Sequence, residues 1–144
     1  MSRVKLDLPD CLPFGTELRV RISEINYGGH LGNDAVLSLA HEARVQWLKS
    51  KGLSEGDVGG CGLLMVDAVI VYKSQGFHGD RLRVDMAAAE PGRTGCDLLY
   101  RIAHAESGAE VARVKTGMVF FDYAAGKVVR MPDAFRAAFF PAGA

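Results

Sequence analysis

The sequence predicts an α+β domain in which an antiparallel five-stranded sheet wraps around one long central helix. Two observations predict it. Residues 34–51 contain no Pro or Gly and are apolar around most of a helical circumference, as a helix covered on most sides must be. Around that stretch lie five segments of strand-type pattern, and the last four are joined by short turns, which make neighbouring strands antiparallel.

Residues 1–15 carry Pro9, Pro13 and Gly15 and read as an irregular lead-in. Residues 17–25 alternate apolar and polar, with Leu18, Val20 and Ile22 on one face, the mark of a half-buried strand. Next comes the glycine-rich turn Asn26-Tyr27-Gly28-Gly29-His30-Leu31-Gly32-Asn33-Asp34, in which Asn33 or Asp34 is a natural N-cap. The helix then runs for about five turns and stops at Gly52. Val36, Leu37, Leu39, Ala40, Ala43, Val45, Trp47 and Leu48 make it apolar on most sides; Asp34, Ser38 and Glu42, four residues apart, align as a narrow polar stripe. Residues 63–73 are apolar on both parities, so that strand needs cover on both faces. The helix covers one, and a second subunit is expected on the other, where the lone Asp67 would pair with a basic residue across the interface. Strands over 81–89, 97–105 and 110–123 follow, and Pro132 is placed to open a final helical turn.

A chain of 144 residues, 49% of them apolar, is sized for one domain with a real core, here taken as 1–144. Its 17 basic and 17 acidic residues cancel, which removes any general attraction to nucleic acid or an anionic membrane. Cys11, Cys61 and Cys96 show no Cys-x-x-Cys or zinc spacing and read as reduced thiols. The N-terminus has no signal-type apolar segment, and no apolar run approaches the ~20 residues of a membrane helix. The expectation is a soluble, cytoplasmic protein.

Several motifs, taken together, resemble the 4-hydroxybenzoyl-CoA thioesterase family. Gly29-His30-Leu31-Gly32-Asn33 stands where the family's acyl-CoA thioester hydrolase branch has Gly-His-Val-Asn-Asn before its helix, and Glu42-Ala43-Arg44 lies on the helix. Tyr72 late in the second strand, Gly79-Asp80 in the next turn, and Asp122 to Gly126 before a Pro-containing tail extend the likeness over residues 16–136. The resemblance implies a hotdog fold and homodimers, often paired again into tetramers, with active sites at the subunit interface. It also implies hydrolysis of a fatty or aryl acyl-CoA to free acid and CoA, with CoA entering only as part of the substrate and no other cofactor.

Thioester hydrolysis needs an activated water or nucleophile and donors for the developing oxyanion. The first amides of a helix lack intrahelical partners and sit at the positive end of its dipole, so the backbone around Asn33 and Asp34 is the candidate oxyanion hole. In much of the branch a catalytic Asp matches the position of Asn26. An amide can neither accept water's proton nor attack, although it can orient a carbonyl or a water. Another hotdog thioesterase group pairs an Asn in this turn with an acid on the helix. The resemblance therefore implies Glu42, or Asp34 on the same face, as the base, with Asn26 orienting substrate and His30 a further candidate base. Each carboxylate has a plainer reading, Asp34 as a cap and Glu42 as the ion-pair partner of Arg44 or a strand arginine. Gly29, Asn33, Tyr27, Tyr72 and Arg81 are expected to line the substrate, and Lys73, Arg83, Arg101 and Lys115 join Arg81 as cations able to reach CoA phosphates. His41-Glu42 lacks a second histidine, since Val45 stands where a zincin would have it, and no metal is expected. The alternative to an enzyme is a hotdog protein that binds an acyl thioester without cleaving it, a reading that Asn26 keeps open.

Overall fold

A computed structural model describes residues 1–142. The elements are β1 (Phe14–Arg19), α1 (Asn33–Ser50), β2 (Gly62–Tyr72), β3 (Arg81–Ala89), β4 (Gly95–His104), β5 (Glu110–Asp122), β6 (Lys127–Val129) and α2 (Asp133–Phe139). All pairings are antiparallel, in the order β1-β3-β4-β5-β2, and the three-residue β6 folds back on β5 as a sixth strand. The helix and the last four of the five long strands stand where the pattern put them, and α2 begins directly after Pro132.

Alternation along the strands builds one continuous apolar face. A single cross-sheet row holds Phe14, Met86, Tyr100, Val114 and Ile70, and the next holds Val84, Ile102 and Ala112. Against this face lie Val36, Leu39, Ala40, Ala43, Trp47 and Leu48 of α1, all buried. The far end is closed by aromatic packing of Trp47 on Phe14 and Phe139, and of Phe120 on Phe135. The opposite face of the sheet is charged, with ion pairs Arg83–Asp85, Arg101–Glu110 and Lys115–Asp67. Across it runs the lead-in, held by Arg113, which donates from Nη1 to the Leu6 carbonyl at 3.0 Å.

Several local expectations are corrected. β1 ends at Arg19 instead of reaching residue 25, because the Arg21 amide donates to the Glu24 carboxylate at 2.6 Å and the chain closes into a 3-10 turn over Ile22–Glu24. Ile22, placed by alternation on the inner face, is therefore exposed. The N-cap is Gly32, and neither Asn33 nor Asp34 makes a capping bond. The Gly32 amide donates to the Glu24 carbonyl at 2.9 Å and the Leu31 amide to the Gly76 carbonyl at 2.8 Å, so the backbone is steered into the helix one residue early. The sheet of one chain also covers only one side of α1. Asp34, Ser38, His41, Glu42 and Val45 are exposed on the other.

β2 is an edge strand whose middle, Met65 to Ala68, is exposed, so cover for its second face does not come from this chain. Asp67 has its basic partner within the chain: at a bulge in β2 it accepts from Lys115 Nζ and the Gly117 amide, both at 2.8 Å. None of the described helices is long and apolar enough to cross a membrane.

Candidate active site

The turn that enters α1 is built by its own side chain. Asn26 Oδ1 accepts from the amides of Gly28 at 3.0 Å and His30 at 3.2 Å, and the Asn26 amide donates to the His30 carbonyl at 2.8 Å. The tight loop this makes requires φ of +84° at Gly29, a conformation disfavoured for residues with a Cβ. Tyr72, at the end of β2, donates from its hydroxyl to the Asn33 carbonyl at 2.9 Å and ties the helix start to the sheet. Burial, with the charge of Asp34 adding to it, pushes the Tyr72 hydroxyl up, so it remains a neutral donor.

These contacts frame a cavity of about 310 Å³ lined by Asn26, His30, Asn33, Tyr72, Lys73 and the Ser74–Gly76 loop, with Leu31, Val36 and Val111 as its apolar part. Four of the expected site residues, Asn26, His30, Asn33 and Tyr72, thus come together, with Gly29 in the same loop. The His30 ring sits edge-on to Phe77 at 5.2 Å, and its nitrogens make no hydrogen bond among the described residues. The Ala35 amide turns back to the Gly32 carbonyl, whereas those of Asn33 and Asp34 have no acceptor among the described residues. Two N–H groups at the positive end of an 18-residue helix are thus available beside this cavity.

Other expected residues fall elsewhere. Asp34 lies on the exposed face at the helix start, close enough to Tyr72 for its charge to act there. Glu42 is two turns further along, about 12 Å at helical rise, in a separate groove of about 550 Å³ with Leu18, Leu39, Val45 and Gln46. It does not pair with Arg44. Its carboxylate accepts from Gln46 Nε2 at 2.8 Å, and Gln46 Oε1 accepts from the Thr16 hydroxyl at 2.6 Å. Tyr27 points fully into solvent from the loop tip. Arg81 is remote from the cavity, paired with Glu17 and Glu106. Of the five cations nominated for phosphate, Arg81, Arg83, Arg101 and Lys115 each hold a carboxylate, and Lys73 alone makes no ion pair among the described residues.

The charged partner that Arg44 does have was invisible to periodicity. Its buried guanidinium donates to Glu55 at 2.9 Å and to the Tyr100 hydroxyl at 2.9 Å; Tyr100 and Thr116 share a further bond at 2.8 Å. His41 closes the other side of Glu55 at 2.6 Å. Burial alone would raise the Glu55 carboxyl, but hydrogen bonds from Arg44 and His41 outweigh it and hold the group below the usual glutamate range. The network fixes α1 to the sheet and to the loop before β2.

The chain belongs to the thioesterase-like superfamily, whose pattern matches residues 20–139. Together with the curved sheet and central helix, this defines a hotdog-fold protein of the thioester hydrolase class. Among solved structures it is similar to a 1,4-dihydroxy-2-naphthoyl-CoA thioesterase from Synechocystis, at 28% identity and a TM-score of 0.80 over 87% of this chain and 93% of that one. A gentisyl-coenzyme A thioesterase shares the fold at 17% identity and a TM-score of 0.78, over 88% and 99% of the two chains. So does a thioesterase-superfamily protein from Jannaschia, at 19% and 0.78 over 91% and 83%. No protein of curated function matches the sequence.

Proposed function

We propose that this protein hydrolyses an acyl-CoA thioester, fatty or aryl, to the free acid and CoA, working as a homodimer. The observation that carries the reading is the convergence of Asn26, His30, Asn33 and Tyr72 around one cavity at the start of α1, where the amides of Asn33 and its neighbour Asp34 have no acceptor among the described residues. The thioester carbonyl oxygen lies against those amides, which strengthen their hold as it becomes an oxyanion. The Asn26 Oδ1 is committed to the loop, so its Nδ2 is the end left to orient substrate. Asp34, the carboxylate nearest the cavity, takes a proton from water as the oxygen adds to the carbonyl carbon. The tetrahedral intermediate then expels CoA by breaking the C–S bond, and the sulfur takes up the proton that Asp34 removed from water, carried by the His30 ring that lines the same cavity. The likeness to an aryl-CoA thioesterase supports an aromatic acyl group among the substrates. The exposed apolar middle of edge strand β2 supports the homodimer.

A second reading makes Glu42 the base, favoured by the Thr16–Gln46 relay that holds its carboxylate in one orientation. Thiol release measured over a panel of fatty and aryl acyl-CoAs tests both. Asp34→Asn is expected to lower turnover ~100-fold or more with little change in melting temperature. If only Glu42→Gln does so, the base is Glu42. Measurable CoA binding without turnover on any member of the panel would reject the enzyme in favour of an acyl-thioester binding protein.

A further inference from the structure

The lead-in segment is more than a loose end. After Arg113 anchors it at Leu6, it delivers Arg3 and Lys5 to the corner where β2 ends. There Arg3, Lys5, Lys73 and Arg113 line an open depression of about 460 Å³, with Asp7 as the carboxylate in the lining, so four cations face one anion. Arg113 is neutralised by Glu110, but Arg3, Lys5 and Lys73 make no ion pair among the described residues. This sets them apart from Arg81, Arg83, Arg101 and Lys115, each of which holds a carboxylate.

The position matters as much as the charge. Tyr72 and Lys73 line both this depression and the cavity at the helix start, so the two hollows meet across the end of β2. A substrate whose reacting carbonyl sits at the helix amides has its long arm free to cross that strand end. We propose that this corner holds the phosphates of the CoA nucleotide, gripped by Arg3, Lys5 and Lys73, with Arg113 holding the strap in place. The inference rests on the thioesterase reading and deepens it by assigning the residues that hold the nucleotide end of the carrier. A compact polyanion suits a concave, unneutralised cation cluster, and each charge-assisted contact to phosphate is strong. A carrier protein would present its acidic groups on a broad convex surface instead.

The test separates this inference from the reading beneath it. Wild type and Arg3→Ala/Lys5→Ala are titrated calorimetrically with 3′,5′-adenosine diphosphate, a probe that needs no turnover. The ratio of kcat/KM for an acyl-CoA to that for the same acyl group on N-acetylcysteamine is then measured. At about tenfold per lost contact, the double variant is expected to weaken nucleotide binding and to lower that ratio by roughly 30- to 100-fold, chiefly through KM for the acyl-CoA. Lys49→Ala, a lone exposed cation on α1, serves as the charge control and leaves both unchanged. Lack of nucleotide binding by the wild type overturns the inference. So does an unaltered ratio, an equal loss on both substrates, or an effect confined to acyl groups on a carrier protein. Absence of hydrolysis on every thioester would instead reject the thioesterase reading, while the nucleotide titration still decides the site.

Discussion

Asn26 does two separable jobs, and one pair of substitutions tells them apart. Its Oδ1 accepts two backbone amides at 3.0 and 3.2 Å, so Asn26→Ala removes two neutral hydrogen bonds from an exposed loop. At about 0.5–1.5 kcal/mol each, the loss is roughly 1–3 kcal/mol. For a chain of this size that lowers the melting temperature by about 2–4 °C per kcal/mol. Asn26→Asp keeps both acceptors, makes them charge-assisted, and places a negative charge near a helix N-terminus, so its melting temperature should match or exceed wild type. It abolishes only the Nδ2 donor. If that donor steadies the thioester carbonyl in the transition state, its loss lowers kcat by about 10²–10³-fold. Thiol release under saturating acyl-CoA, beside thermal melts of all three proteins, reads both quantities. Full or increased turnover in Asn26→Asp would refute the donor assignment. An unshifted melt in Asn26→Ala would refute the loop assignment.

Three further outcomes follow from the packing. Glu55 titrates lower in the folded chain than its ordinary value, so its stabilising effect is complete above the unfolded-state pKa, roughly 4.3, and is lost as pH falls through the depressed folded value. Urea midpoints of the wild type should therefore drop more steeply below that pH than those of Glu55→Gln, and parallel curves would contradict the network. Val66→Glu puts a charge on the exposed middle of edge strand β2 and should convert a dimer to monomers in sedimentation velocity; an unchanged dimer would move the interface elsewhere. Burial, reinforced by the Asp97 charge, pushes the Cys96 thiol up to about 12, whereas Cys11 is exposed. At pH 8 an aromatic disulfide reagent should modify Cys11 rapidly and Cys96 only after denaturation. Rapid native modification of Cys96 would show that the interior opens.

The helix was legible as a long apolar stretch free of Pro and Gly, and β2 to β5 as apolar or alternating runs bounded by turns. The reading failed where a local bond competes with the pattern. Ile22 continues an alternation, yet the short Arg21–Glu24 contact bends the chain out of the sheet. Asn33 and Asp34 are good capping residue types, but tethers from Gly32 to Glu24 and from Leu31 to Gly76 set the helix start, and no sequence window contains both partners. For the same reason nothing in the pattern marks the loop Ser74–Gly76, although it walls the cavity. Glu55 and Tyr100 carry no periodic signal for their shared contact with Arg44, being brought to it by folding from 11 and 56 residues away, and neither does Thr116 for its bond to Tyr100. Lys73 was visible as a cation; that it alone of its group is left without a carboxylate depends on cross-strand register.

The strand order has a consequence for how the chain can be made. Among the described residues β1 pairs with β3 and β2 with β5, so β1 must wait for residues 81–89 and β2 for residues 110–122. From the end of β2 to the end of β5 is 122 − 72, or 50, residues. At a synthesis rate of about 5–20 residues per second, that is a wait of roughly 2.5–10 s. Throughout it β2 has no strand partner, and until β3 has been made the apolar side of α1 has no sheet to rest on. The nascent first half is thus the interval in which a holding chaperone would find its clearest target, and the β3-β4-β5 meander, local and self-contained, is the platform on which both earlier strands must land.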